Sequence, residues 1–142
     1  MGLRVLVVDD NDAFRVAARQ LLERSGLVVV AEAAAGADGV QAARDHRPDL
    51  AIVDVQLPDI DGFTLAERLR ELEPAPRVIL TSSLDPSDFG ALVETSPALG
   101  FIPKAELSAR TIKSLIDAAS EPARGPVSAK QGISSPRARR GR

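Results

Sequence analysis

Apolar residues along this chain arrive in short continuous runs separated by helix-spaced patterns. Residues 3–8 form a β-rich run, after which Phe14, Ala17, Ala18, Leu21 and Leu22 recur at the spacing of one helix face until Gly26 offers a stop. A second strand follows over 27–31. A small-residue helix then starts near Gly36 to Asp38, carries Val40 and Ala43, and stops at His46, Arg47 and Pro48. Residues 50–53 are a third strand ending in Asp54, and the helix after Asp61 and Gly62 places Leu65, Ala66, Leu69 and Leu72 on one side before Pro74 and Pro76 close it. The fourth strand spans 77–80. Asp85, Pro86, Ser87 and Asp88 then open a helix with a cap, a first-turn proline and a first-turn acid. Gly100, Phe101 and Ile102 make a short fifth strand, and Leu107, Ile112, Leu115, Ile116 and Ala119 mark the last helix.

Strands that are uniformly apolar rather than alternating are buried on both faces, and five strand–helix units in a row supply the helices to cover them. The expected class is a doubly wound α/β fold with a parallel sheet. Connections are short and no solenoid-type repeat occurs.

Composition narrows the chemistry. The 142 residues include no Cys, no Trp, no Tyr and four Phe, so thiol nucleophiles, disulfides and thiolate metal sites are excluded. The N-terminus carries neither a signal-peptide pattern nor a run long enough to span a bilayer, and a cytoplasmic location is expected. Charge is unevenly placed: residues 1–120 hold 12 Lys+Arg against 19 Asp+Glu, whereas residues 121–142 hold six basic residues and one acid. That last segment is rich in Pro, Gly, Ser and Arg, with Val127 and Ile133 as its large aliphatics, and reads as a disordered basic tail or a linker. The division is therefore a folded domain over 1–120 and a tail over 121–142.

In open α/β sheets functional residues gather at the carboxyl ends of the strands. Those ends carry Asp9 and Asp10, Asp54, Thr81 and Ser82, and Lys104. Converging carboxylates repel unless a cation lies between them, and hard oxygen ligands without His or Cys suit Mg2+. Lys104 and the Thr81 hydroxyl then favour an anionic ligand, and a phosphoryl group fits.

At this point the chain resembles the receiver domains of two-component response regulators. The acidic pair, the stretch from Asp54 through Pro58 to Gly62, Thr81-Ser82, and Gly100-Phe101-Ile102-Pro103-Lys104 occur in family order over about residues 3–119. The resemblance implies a flavodoxin-like sheet of strand order 2-1-3-4-5. It implies that Asp54 takes a phosphoryl group from a phosphohistidine on a histidine kinase or a histidine phosphotransfer protein. Asp10, Asp54 and the backbone carbonyl of Gln56 would coordinate Mg2+, with Asp9 acting mainly through water. Thr81, Ser82 and Lys104 would bind the phosphoryl group, and Phe101 matches an aromatic switch position. Output would be an altered partner surface on the fourth helix, fifth strand and fifth helix. The implied protein is a signalling switch that catalyses only its own phosphorylation and dephosphorylation.

Two departures stand out. Ala105 follows Lys104 where many receivers have proline, and Pro103 precedes it instead, so a cis bond after Lys104 is not assumed. Gln56 occupies a place where the family tunes dephosphorylation. Taken singly, Asp9-Asp10 reads equally as a solvated loop, Lys104 as a surface cation and Phe101 as core; it is their joint occurrence that carries the assignment. His46 is expected to be exposed and non-catalytic. One alternative makes the chain the receiver half of a longer DNA-binding transcriptional regulator, although the chain by itself is not expected to bind nucleic acid or membrane. A more distant one, a Mg2+-dependent aspartyl phosphatase, lacks the second Asp two residues after the nucleophile, where Gln56 stands.

Overall fold

The computed structural model describes residues 2–120. The strands are β1 (Arg4–Val8), β2 (Val28–Ala33), β3 (Leu50–Asp54), β4 (Arg77–Ser82) and β5 (Gly100–Pro103), and the helices are α1 (Asp12–Arg24), α2 (Gly36–His46), α3 (Gly62–Arg70), α4 (Leu92–Thr95) and α5 (Ala109–Ser120). All strand pairs are parallel and the order is β2-β1-β3-β4-β5. This is the doubly wound arrangement expected from the runs of apolar residues. The tail over 121–142 lies outside the described residues.

Alternation of side chains along the central strands divides the core in two. Leu6, Val8, Ala51, Val53, Val78 and Leu80 pack with Leu65 and Leu69 of α3 and Ala43 of α2. Val5, Val7, Leu50, Ile52 and Ile79 pack with Ala18 and Leu22 of α1 and Ile112 of α5. β3, buried along its whole length, is the spine of both clusters. Each fully buried leucine such as Leu65 or Leu69 contributes about 1.5–3 kcal/mol relative to exposure.

Helix starts follow their capping chemistry. Asn11 accepts from the Phe14 N–H at 3.0 Å to begin α1, and Asp61 accepts from the Thr64 N–H at 2.7 Å to begin α3. α2 differs, because its own N-cap Ala35 has no side-chain oxygen. Asp59, from the loop after β3, supplies the cap instead, its two oxygens accepting from Gly36 and Ala37 at 2.8 and 2.9 Å. Those N–H groups hold the Asp59 carboxyl below the usual carboxylate range. A side chain at Gly36 would run into Ile60 and crowd this clamp.

The fourth helix departs from expectation. Asp85 does cap a turn, but that turn is a short 3-10 segment, Pro86–Phe89, ended by Gly90 at φ 58°, and α4 is only four residues long. No residue from 83 to 97 is buried. Without an apolar stripe to press against the sheet, good caps start a helix that nothing prolongs. The last helix also begins later than its apolar pattern suggests: Leu107 ends a 3-10 turn over Lys104–Glu106, and Ser108 accepts from the Thr111 N–H at 3.1 Å just ahead of α5. The peptide after Lys104 is trans, and the one cis peptide among the described residues is Glu73–Pro74.

Candidate functional site

Three strands deliver polar side chains to one corner. Asp9 follows β1 and continues its ladder, donating its N–H to Ala33 O at 2.9 Å, while Asp54 ends β3 directly beside Thr81 of β4. By strand alternation all three share the side of the sheet covered by α1 and α5. Asp9 and Thr81 are 0% exposed and Asp54 is 5% exposed. Lys104 enters from the turn after β5.

The ammonium of Lys104 lies 2.7 Å from Asp9 Oδ2 and 3.3 Å from Asp54 Oδ2. Asp9 Oδ2 accepts no other bond, whereas Oδ1 accepts from the Asn11 N–H at 2.8 Å. Asp54 Oδ1 accepts from the Gln56 N–H at 3.1 Å. Thr81 Oγ1 is buried without any hydrogen-bond partner. A buried hydroxyl left unpaired costs free energy, so this one is poised for an acceptor or donor that arrives with a ligand.

Asp9, Asp10 and Asp54 each offer an oxygen within 4.8 Å of the others, Asp10 from the exposed rim and the other two from the buried floor. Against these carboxylates stands a single nearby ammonium. The all-oxygen donor set and the surplus negative charge fit a hard divalent cation such as Mg2+. Burial raises the Asp54 carboxyl above its ordinary value, with the Asp9 charge adding to the rise while the Gln56 N–H and Lys104 oppose it. Lys104 shows the converse balance: burial lowers its value, but the two carboxylates outweigh burial and leave it raised. A cation held by these acids would favour the ionised, nucleophilic form of Asp54.

Ser82 and Phe101 are placed on the other side of the sheet. The Ser82 hydroxyl accepts from the Leu84 N–H at 3.0 Å and so shapes the loop after β4. Phe101 is half-buried, its ring 5.9 Å from that of Phe89, which meets Phe63 of α3 edge-on at 5.6 Å. Gln56 is exposed at the mouth. Gly62 is required by close approach rather than by its φ, since a Cβ there would lie 2.5 Å from Asp54 O and 2.7 Å from Val55 Cα. His46 is exposed, as expected.

The corner also includes residues that the sequence pattern did not single out. Phe14, read as helix core, lies under Lys104 with its ring centroid 4.5 Å from Nζ. Arg15 donates to the main-chain oxygen of Asp9 and pairs with Glu32 at 3.2 Å. Asp59 lies within the stretch from Asp54 to Gly62, where the sequence pattern gives it no role of its own. The available signals were an aromatic residue three positions after an N-cap, and an acid in a loop facing a helix that has no cap of its own.

A buried acidic corner at the carboxyl edge of a 2-1-3-4-5 sheet, facing a lysine and a hydroxyl without a partner, is the arrangement that the resemblance to receiver domains leads one to expect. Residues 5–117 match the model of the response regulator receiver domain, and the chain belongs to that family. It is 34% identical over 84 residues to the chemotaxis protein CheY of Bacillus subtilis, covering 59% of this chain and 70% of that one. It is 36% identical over 103 residues to the virulence-factor transcription regulator BvgA of Bordetella pertussis, covering 72% of this chain and 49% of that one. Among solved structures, the signal receiver domain of the response regulator NarL from Mycobacterium tuberculosis aligns with a TM-score of 0.70 and 32% identity, covering 85% of this chain and 98% of that one. The chain spans about half the length of the first curated relatives it matches. None of the helices among the described residues is long and apolar enough to cross a membrane.

Proposed function

We propose that Asp54 is the phosphoacceptor of this receiver and that its phosphorylation switches a protein-binding surface. The observation that carries the proposal is the corner itself: clustered carboxylates, an ammonium at 3.3 Å from Asp54, and a buried hydroxyl with no partner, all at one strand edge. Asp10, Asp54 and the Gln56 carbonyl would hold Mg2+, with Asp9 acting mainly through water. Bound there, Mg2+ would neutralise charge on the phosphoryl oxygens and template in-line transfer.

Asp54 Oδ attacks phosphorus while the phosphorus–nitrogen bond of a donor phosphohistidine breaks, its electron pair returning to the imidazole. Hydrolysis later returns the Asp54 carboxylate and inorganic phosphate. Lys104 exchanges part of its pairing with Asp54 for a phosphoryl oxygen, and Thr81 Oγ1 donates to another. Ser82 then moves with the loop it shapes, and Phe101 follows as that loop closes on the phosphoryl group. A partner reading α4, β5 and α5 would sense the change. Donor kinase, phosphotransfer protein and cytoplasmic setting belong to the same proposal.

Incubation with acetyl phosphate and Mg2+ is expected to add one phosphoryl mass to the wild type and none to Asp54→Asn. Equal modification of both proteins would overturn the assignment. A second reading is favoured by the share of BvgA that is matched, 49% of its length. It makes the same switch the input half of a transcriptional regulator. An antibody detecting a native protein well above 15.0 kDa in cell extract would support it, and a band at that mass would count against it.

A further inference from the structure

One aromatic ring, that of Phe14, stands against the ammonium of Lys104 with no part in the chemistry above. Phe14 lies in the first turn of α1, and Lys104 Nζ sits over its face, 4.5 Å from the centroid. That is within the roughly 6 Å reach at which a ring quadrupole attracts an ammonium. Lys104 needs such a restraint, because a lysine is a point charge on a flexible four-carbon stem and has no planar fork to fix its direction.

The contacts close into a ring of four residues. Asp9 Oδ1 accepts from the Asn11 N–H at 2.8 Å, and Asn11 Oδ1 accepts from the Phe14 N–H at 3.0 Å. Phe14 supports Lys104, which returns to Asp9 Oδ2 at 2.7 Å. The cap that starts α1 thereby also sets the height of the ring beneath the ammonium. We propose that Phe14 is a positioning residue for phosphoryl transfer, holding Lys104 through the face of its ring where it meets Asp54 and the incoming phosphoryl group.

This rests on the assignment of Asp54 as acceptor. The competing view is that Phe14 only packs against the α1 and α5 core, which it also touches. Substitutions that keep the apolar volume but change the ring's charge distribution separate the two. The measurement is the rate of Asp54 phosphorylation by acetyl phosphate with saturating Mg2+, resolved into a saturating rate constant and a donor half-saturation, with melting temperature recorded alongside.

Phe14→Leu is expected to lower the saturating rate by about two- to fivefold, with donor half-saturation unchanged. Phe14→Tyr, which keeps an electron-rich face, is expected to restore the rate to within about a factor of two of wild type. Site-specific replacement by mono-, di- and trifluorophenylalanine should lower the rate stepwise as the ring face loses negative potential, at unchanged melting temperature. A flat fluorination series, or a Leu variant with the wild-type rate and only a lower melting temperature, overturns the proposal and leaves the receiver assignment standing. A wild type that accepts no phosphoryl group overturns both.

Discussion

The two edges of this sheet are built from the same strands and end in opposite conditions. At the amino edge the polar groups around Arg4 and Asp49 meet partners. The Arg4 N–H donates to Asp49 Oδ2 at 2.8 Å, Asp49 returns its N–H to Arg4 O at 2.8 Å, and Arg77 donates to Asp49 O at 3.1 Å. The Arg4 guanidinium donates to the carbonyls of Arg47 and His46 at 2.6 and 2.7 Å, satisfying the end of α2. At the carboxyl edge two buried carboxylates share one ammonium, and a hydroxyl has no partner at all. Uncompensated polar groups lower stability wherever they are buried. Among the described residues, the buried side-chain oxygens without a hydrogen-bond partner, Asp9 Oδ2 (ion-paired with Lys104) and Thr81 Oγ1, both lie at this edge.

Truncating the cation at each edge should widen that contrast most. Lys104→Met removes the positive charge that competes with a metal for the same carboxylates, and the Mg2+ dissociation constant is expected to fall by on the order of tenfold; calorimetric titration measures it. Arg4→Met instead removes two charge-assisted hydrogen bonds and is expected to cost about 1–2 kcal/mol in urea denaturation. Its Mg2+ affinity and phosphorylation rate should remain those of the wild type. Loss of metal binding in the Arg4 variant would break the separation of the edges.

Smaller effects test the sign of the electrostatics. The Asp54 carboxyl is raised chiefly by burial, so the folded chain holds that proton more tightly than the unfolded chain does. The resulting stabilisation is full below the ordinary carboxylate value and is lost as pH rises through the raised one, leaving ionised Asp54 a cost at neutral pH. Asp54→Asn should therefore raise the melting temperature by a few degrees at pH 7 without Mg2+, and the gain should shrink as pH falls toward about 4. Asp59 is the control, an acid at the same edge whose oxygens are engaged by Gly36 and Ala37. Its lowered value means stability that is present above the ordinary carboxylate pKa and is lost as pH falls through the depressed one. Asp59→Ala should give a small drop in melting temperature at pH 7 that disappears in strong acid.

Features written by local rules were legible in the sequence. Continuous apolar runs reported strands buried on both faces, and charges at the ends of those runs marked the corner where Asp9, Asp54 and Lys104 meet. The stretch from Asp85 to Thr95 was misjudged because caps report where a helix begins, whereas its length depends on tertiary burial that no cap records. Phe14 and Asp59 were illegible for a related reason. Each acts across the fold, one beneath a lysine 90 positions away and the other on a helix that starts 23 residues earlier. Thr81 and Ser82 are adjacent in sequence, yet the pleat sends them to opposite sides of the sheet, so a shared motif did not imply a shared location.

The unburied segment over 83–97 gives the molecule an uneven stiffness. On one flank, α3 is pinned beside the end of β3, its first residue Gly62 donating to Val55 O at 2.7 Å. On the other, a 3-10 turn and a four-residue helix follow β4 with no fully buried residue, and half-buried Phe89 packs them against the core. Segments with few buried contacts open at low free energy. A push of about 1.4 kcal/mol, on the scale of one charge-assisted hydrogen bond, shifts such an equilibrium tenfold. A domain so divided is expected to open over 83–97 before its buried frame does, and amide hydrogen exchange faster there than along β3 checks it.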